Sequence, residues 1–277
     1  MKFISVLLKV YYKLPFRPFR KQFAWMFHQY RKLDRDKKVI VTRKGVNFEL
    51  NLRDRVQSGI YYDFYEPVIT RLFEKSLKRG GVLIDVGANI GYYSLLSVKL
   101  VGKEGKVYAF EPMSLAYNRF KKNLSLNNFT NIVLEKKGVS DKNEKLRVYF
   151  QNEYIVPSMR KKEEGTILEN IELTTIDNYV KANKINKVSL IKVDTDGYDF
   201  KVLKGAMETI KKFKPLITIE VDPKEEDHEM YLDFLFKIPQ YKVYSDVGGK
   251  SKRYSKEEIA SISKKRGIIN LILFPIK

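Results

Sequence analysis

Residues 82–91 read Val-Leu-Ile-Asp-Val-Gly-Ala-Asn-Ile-Gly. An apolar run suited to a buried strand, Val82–Val86, ends in a glycine-rich turn, and the turn opens a helix expected over Ile90–Leu100. Gly87 lets the backbone turn tightly and approach a ligand closely. The helix start behind it offers free N–H groups. Two common phosphate cradles do not fit. A G-x-G-x-x-G fingerprint would put glycines where Asn89 and Tyr92 stand, and no Gly-Lys-Ser/Thr follows for a P-loop. Taken alone, Gly87 and Gly91 equally suit an ordinary strand-to-helix turn.

Outward from this turn the chain alternates. Strands are expected at Lys106–Phe110, Ile132–Lys136, Ser189–Val193 and Leu216–Val221, with helices at Leu115–Leu126, Phe200–Lys211 and His228–Phe236. Upstream, Val39–Thr42 and Val46–Leu52 alternate around Lys44-Gly45 as a hairpin, and residues 64–77 read as an amphipathic helix. Residues 138–186 are less regular, with strands expected near Leu146–Phe150 and Ile171–Thr174. Lys242–Tyr244 and Ile268–Phe274 read as closing strands. The fold class is therefore α/β and Rossmann-like, a mostly parallel sheet with helices on both faces and an antiparallel closing strand. The domain reading is a basic N-terminal segment plus hairpin over residues 1–55 and one α/β domain over residues 56–277. Ligands of such sheets sit beyond the carboxyl ends of the strands.

Those ends carry the chemistry. Glu111 lies 26 residues after Asp85, at the tip of the neighbouring strand. A carboxylate there accepts hydrogen bonds from two ribose hydroxyls. A ribose acceptor beside a glycine turn with no diphosphate cradle suits S-adenosylmethionine. Gly87, Asn89 and Gly91 would hold its methionine and ribose region, and Asp85 would add a carboxylate near its cationic end. Ser140, in Gly138-Val139-Ser140-Asp141, would face the adenine, although that tetrapeptide alone is an ordinary turn. Asp194, Asp196 and Asp199 cluster where the fourth strand ends, and Glu220 and Asp222 close the next strand. Crowded carboxylates repel, so one should bind its proton more tightly and suit a general base. Asp194, at the strand tip, is the first candidate for base or base-orienting group, with Asp196 beside it. Asp199 reads instead as a charge stabilising a helix start. A divalent cation held by these oxygens is the alternative use of the cluster. His228 is a further conceivable base, set in an acidic helix start.

Composition removes other classes. With no cysteine and two histidines, the chain has no disulfide framework, no thiolate nucleophile and little material for a histidine metal site. The net charge of +20 attracts nucleic acid, anionic lipid or acidic substrates. Residues 1–33 carry Lys2, Lys9, Lys13, Arg17, Arg20, Lys21, Arg31 and Lys32 with no acidic residue. Phe3, Leu7, Val10 and Leu14 share a helical face there, too short to span a bilayer. This segment reads either as an in-plane anchor on anionic lipid or as a helix packed on the domain or a partner. The expected location is cytoplasmic, with membrane association through that segment.

Several pieces together resemble the FkbM-type methyltransferases. They are Asp-Val-Gly-Ala-Asn-Ile-Gly-Tyr-Tyr-Ser from Asp85, Phe110-Glu111-Pro112, Thr175-Ile176-Asp177-Asn178, residues 192–206, and Phe64-Tyr65-Glu66-Pro67 upstream. The resemblance covers residues 56–223. It implies a class I methyltransferase fold, S-adenosylmethionine as methyl donor, O-methylation of a sugar, glycan or small metabolite, and a role for Glu66 at the donor's amino-acid end. Where the family often has D-x-E-G, this chain has Asp194-Thr195-Asp196-Gly197, which keeps the charge and shortens the side chain. An RNA methyltransferase and a noncatalytic binding protein on the same fold are the alternatives. The basic, aromatic N-terminus favours RNA, whereas no aromatic base-gripping motif is present. The acceptor, its position and the oligomeric state are not written in these motifs.

Overall fold

The computed structural model describes residues 38–63, 65–151, 157–158, 166–195, 197–225, 227–247, 249 and 251–276. Residues 1–33 and Asp196 therefore lie outside the described residues. The described residues divide into two compact units, those up to 67 with 122–128, and those of 68–121 with 129 onward.

In the first unit β1 (Lys38–Arg43) and β2 (Val46–Asn51) form an antiparallel hairpin. Lys44 and Gly45 turn it with positive φ, as the Lys-Gly signal predicts. A short helix α1 (Arg55–Tyr61) follows, which the sequence reading did not anticipate. Asp54 caps it by accepting the Gln57 N–H at 2.9 Å. The Asn127 side chain accepts the Asn47 N–H at 2.9 Å, and the Asn123 side chain accepts the Glu49 N–H at 2.8 Å.

The second unit begins around α2 (Pro67–Ser76) and continues as β3 (Val82–Val86), α3 (Tyr92–Val101), β4 (Lys106–Phe110), α4 (Ser114–Ser125), β5 (Ile132–Glu135), β6 (Gly138–Val139), β7 (Glu144–Gln151), β8 (Pro157–Ser158), β9 (Thr166–Thr174) and α5 (Ile176–Ala182). Then come β10 (Leu190–Val193), α6 (Asp199–Lys204), α7 (Met207–Phe213), β11 (Leu216–Val221), α8 (His228–Lys237), β12 (Tyr241–Ser245), β13 (Lys252–Arg253), α9 (Lys256–Arg266) and β14 (Ile269–Pro275). Strands pair in the order β13-β12-β14-β11-β10-β3-β4-β5, and β6, β9, β7 and β8 form a smaller sheet. β5, β4, β3, β10 and β11 are parallel, while β14 runs antiparallel between β11 and β12. This is the expected class I methyltransferase architecture. Alternate strand residues build its core: Ile84 and Val86, Ile191 and Val193, and Ile217, Ile219 and Val221 pack with Phe110, Tyr231 and Leu235.

Two expectations need correction. The single helix expected over Phe200–Lys211 is two helices, α6 and α7. The first ends at Gly205, where the lack of a Cβ lets the Ser140 carbonyl oxygen approach closely: a Cβ there would sit 2.2 Å from it. The Asp177 carboxylate then caps the second piece, accepting from Glu208 and Thr209 N–H at 3.0 and 2.8 Å. Helix α9 was not expected at all. Its Ser255/Glu258 capping box is complete, with the Ser255 hydroxyl accepting at 3.2 Å and the Glu258 carboxylate at 2.8 Å.

Gly91 begins α3 with φ +86°, and a Cβ there would lie 2.3 Å from the fully buried Phe120 ring. Gly91→Ala is therefore expected to cost about 3 kcal/mol from strain and overpacking together. Urea unfolding measures this, and a loss under about 1 kcal/mol would show that the ring yields.

Candidate functional site

Register sets the site. Val86 pairs with Phe110 on one side and Val193 on the other. Gly87, Glu111 and Asp194 are therefore the first residues past three strands that end level with one another. Gly87 has φ +75°, and a Cβ on it would stand 1.7 Å from the Asp194 carbonyl oxygen. Only glycine lets the turn close against the neighbouring strand in this way.

Glu111 sits in a buried seat. Its Oε2 accepts the Asn89 N–H at 2.8 Å and its Oε1 accepts the Met113 N–H at 3.0 Å. Each oxygen keeps a lone pair for a further donor. Burial pushes this carboxyl up to about 7, although the two backbone donors and Lys192 pull the other way. Asn89 holds φ +51° and serves the seat through its backbone. The residues present fit a ribose: a carboxylate with both oxygens anchored and one lone pair on each still to give.

Below the turn, Asp85 is fully buried. Its Oδ2 accepts from the Ser94 hydroxyl at 2.6 Å. Its in-register neighbour on β10 is Lys192. Lys192 Nζ lies 3.5 Å from Asp85 Oδ1, 3.0 Å from Asp194 Oδ2 and 3.4 Å from the Gly87 carbonyl oxygen. The Tyr93 ring centroid is 5.7 Å away. Sequence reasoning missed Lys192. The available signal was a lysine inside Leu190-Ile191-Lys192-Val193, a run in which all four residues are buried.

Asp194 is partly exposed at the strand tip. Asp199 opens α6, at the helix start expected for it. It is 2% exposed, and its Oδ2 accepts the Thr195 N–H at 3.2 Å and the Thr195 hydroxyl at 2.7 Å. Its Oδ1 has no hydrogen-bond partner among the described residues. Burial raises Asp199 to about 6, against the pull of the Thr195 bonds. Glu225 in the loop after β11 is raised to about 7, by burial first and then by Asp199, Asp222 and Asp227. Burial is the larger cause at both groups, and neighbouring carboxylates add to it. His228 is buried with Nε2 3.3 Å from the Ser263 hydroxyl, which makes it a packed helix-start residue. Ser140 is fully buried, and its hydroxyl reaches Asp141 Oδ1 at 3.3 Å. Glu66 belongs to the first unit, with φ +39°.

Among the described residues, no group of three or more His, Asp or Glu side chains is arranged to hold a metal ion. A polar cleft of about 590 Å³ lies at the other ends of the strands, lined by Lys103, Lys106, Asn131 and Lys184 among others.

A carboxylate held by two backbone donors, a glycine turn and acidic strand tips lie together at the carboxyl ends of this sheet. Residues 85–245 match the methyltransferase FkbM domain, more than half of the chain, and the chain belongs to that family. The hexuronic acid methyltransferase AglP of Haloferax volcanii is 27% identical over 163 residues, covering 58% of this chain and 65% of that protein. The methyltransferase sdnD of Sordaria araneosa is 27% identical over 157 residues, covering 46% of this chain and 60% of that protein. The chain thus spans less than two thirds of either relative. A solved FkbM methyltransferase from Methylobacillus flagellatus has 15% identity and a TM-score of 0.46, covering 90% of this chain and 58% of that one.

The raised Glu111 predicts a pH dependence. Its folded value, about 7, exceeds the ordinary 4.5, so the carboxylate able to accept two hydroxyls forms only as pH rises through about 7. 5′-Methylthioadenosine, which has no amino-acid end to titrate, is expected to bind about tenfold tighter at pH 8 than at pH 6. Glu111→Gln should flatten the profile. A flat wild-type profile in calorimetric titration would remove Glu111 as the ribose acceptor.

Proposed function

We propose that this protein is an S-adenosylmethionine-dependent O-methyltransferase acting on a hydroxyl of a sugar, glycan or small metabolite. The observation that carries the reading is the Glu111 seat, level with Gly87 and Asp194 at the strand ends. The bound donor supplies a methyl group made electrophilic by a sulfonium. The chain's residues bind and orient. Glu111 accepts the ribose hydroxyls, the Gly87–Gly91 turn gives backbone room, and Glu66 is assigned to the amino-acid end by its family motif. Asp194 is proposed to hold the acceptor hydroxyl and take its proton. Asp199, under the same loop, titrates near neutral pH and is a second group able to receive a proton. Asp196 keeps its place in the acidic motif and in this proposal. Two features support a sugar: the named substrate of AglP, a hexuronic acid, and strand tips whose carboxylates hydrogen-bond well to polyols.

The full chain is expected to bind S-adenosylmethionine and S-adenosylhomocysteine in calorimetry, and Glu111→Ala to weaken both about 100-fold through two lost charge-assisted hydrogen bonds. An acceptor screen with labelled donor would then begin with sugars and uronic acids. A folded wild type that binds neither ligand would sink the reading.

Residues 1–33 are proposed to rest on the cytoplasmic face of a membrane, their apolar face and basic charge acting together. Vesicles containing phosphatidylserine should retain the full chain better than a variant lacking residues 1–33. Equal retention would assign the segment to a partner or to the protein itself.

A further inference from the structure

Lys192 opens the 192–206 stretch that resembles the family, but the donor reading gives it no task, and its ammonium lies against the glycine turn. It lies on β10 in register with Asp85 on β3. Its residue exposure is 5%. Its ammonium reaches Asp194 Oδ2 at 3.0 Å, Asp85 Oδ1 at 3.5 Å and the Gly87 carbonyl oxygen at 3.4 Å. It is the cation that touches both carboxylates beside the glycine turn among the described side chains. Counting ordinary charges, two carboxylates and one ammonium leave a single negative charge at this point of the site.

A buried charge acts strongly over several ångströms because little water screens it. The two forms of the proposed ligand differ chiefly in charge: the donor carries a positive sulfur and its demethylated product a neutral one. The net charge under the turn therefore sets how far the protein prefers one to the other. We infer that Lys192 is a positioning residue that fixes this preference, offsetting one of two carboxylates so that the site does not hold the cationic donor much more tightly than the neutral product. The benefit is catalytic: extra affinity spent on the charged ground state does not accelerate transfer.

This inference rests on the donor reading, and calorimetry separates the two. S-adenosylmethionine and S-adenosylhomocysteine are titrated into the full chain as wild type, Lys192→Met, Lys192→Arg and Asp194→Asn. In Lys192→Met the preference for the charged ligand, read as Kd of homocysteine form over Kd of methionine form, should rise about tenfold. Lys192→Arg should restore the wild-type ratio, because it keeps the charge. Asp194→Asn removes one carboxylate and should move the ratio the opposite way, so the test stands even if Lys192→Met fails to fold. Equal weakening of both ligands in Lys192→Met, or an unmoved ratio in Asp194→Asn, would reduce Lys192 to a structural counter-ion and leave the donor reading intact. Wild type binding neither ligand would overturn both.

Discussion

The site depends on three parallel strands that end level and on one glycine that lets them close. Val86, Phe110 and Val193 are in register. Without a Cβ at Gly87, the Asp194 carbonyl can lie against the turn. The same register places Lys192 beside Asp85, one residue before those level ends. A carboxylate as buried as Asp85 needs a partner, because leaving a charge unpaired inside a protein costs several kcal/mol. Ser94 supplies a hydrogen bond and Lys192 a charge. The strand pairing, the ion pair and the geometry of the turn are thus one constraint expressed three times.

Function sets itself against stability at this end of the sheet. Desolvation makes Glu111, Asp199 and half-buried Glu225 bind protons more tightly than free carboxyls, with neighbouring acids adding to it at Glu225. A raised folded value means that each subtracts stability as pH climbs above the unfolded value and through the folded one. A chain built for stability alone would carry apolar residues or amides there. Their retention at the strand tips, rather than on the flanks of the sheet, fits groups that wait for hydroxyls or protons from a ligand.

Much of this was legible from pattern. Buried strands such as Val82–Val86 and Leu216–Val221 stand out because both their faces are apolar, and Glu111 stands out because strand-tip position limits what a carboxylate can meet. What escaped had a physical reason. Helix α9 buries Ile259 and Ser263 and exposes much of the rest, so its apolar period is faint, although its capping box was readable. The close approach of the Ser140 carbonyl at Gly205, where the first of the two helices ends, is a contact made across 65 residues of sequence that only the folded chain specifies. Lys192 escaped because a lysine reads as solvent-facing until the register reveals its partners. The helix-start place of Asp199 was legible, but its burial was not, because most acidic residues at helix starts remain in solvent.

The charge of the whole chain and the charge of the site have opposite signs, and the difference bears on the acceptor. The net +20 is carried by exposed lysines such as Lys44, Lys78, Lys103, Lys121 and Lys181. The strand ends instead gather Glu111, Asp194 and Asp199 near the buried ammonium of Lys192, with Asp222 and Glu225 in the loop after β11. A surface of the first kind draws polyanions from a distance, but screening limits that pull to about 10 Å at moderate salt. At the strand ends the nearby carboxylates dominate. They accept hydrogen bonds from hydroxyls, which suits the proposed polyol acceptor. The proposed attraction to an anionic surface and the proposed recognition of a hydroxyl are compatible, because long-range charge and local carboxylates act over different distances.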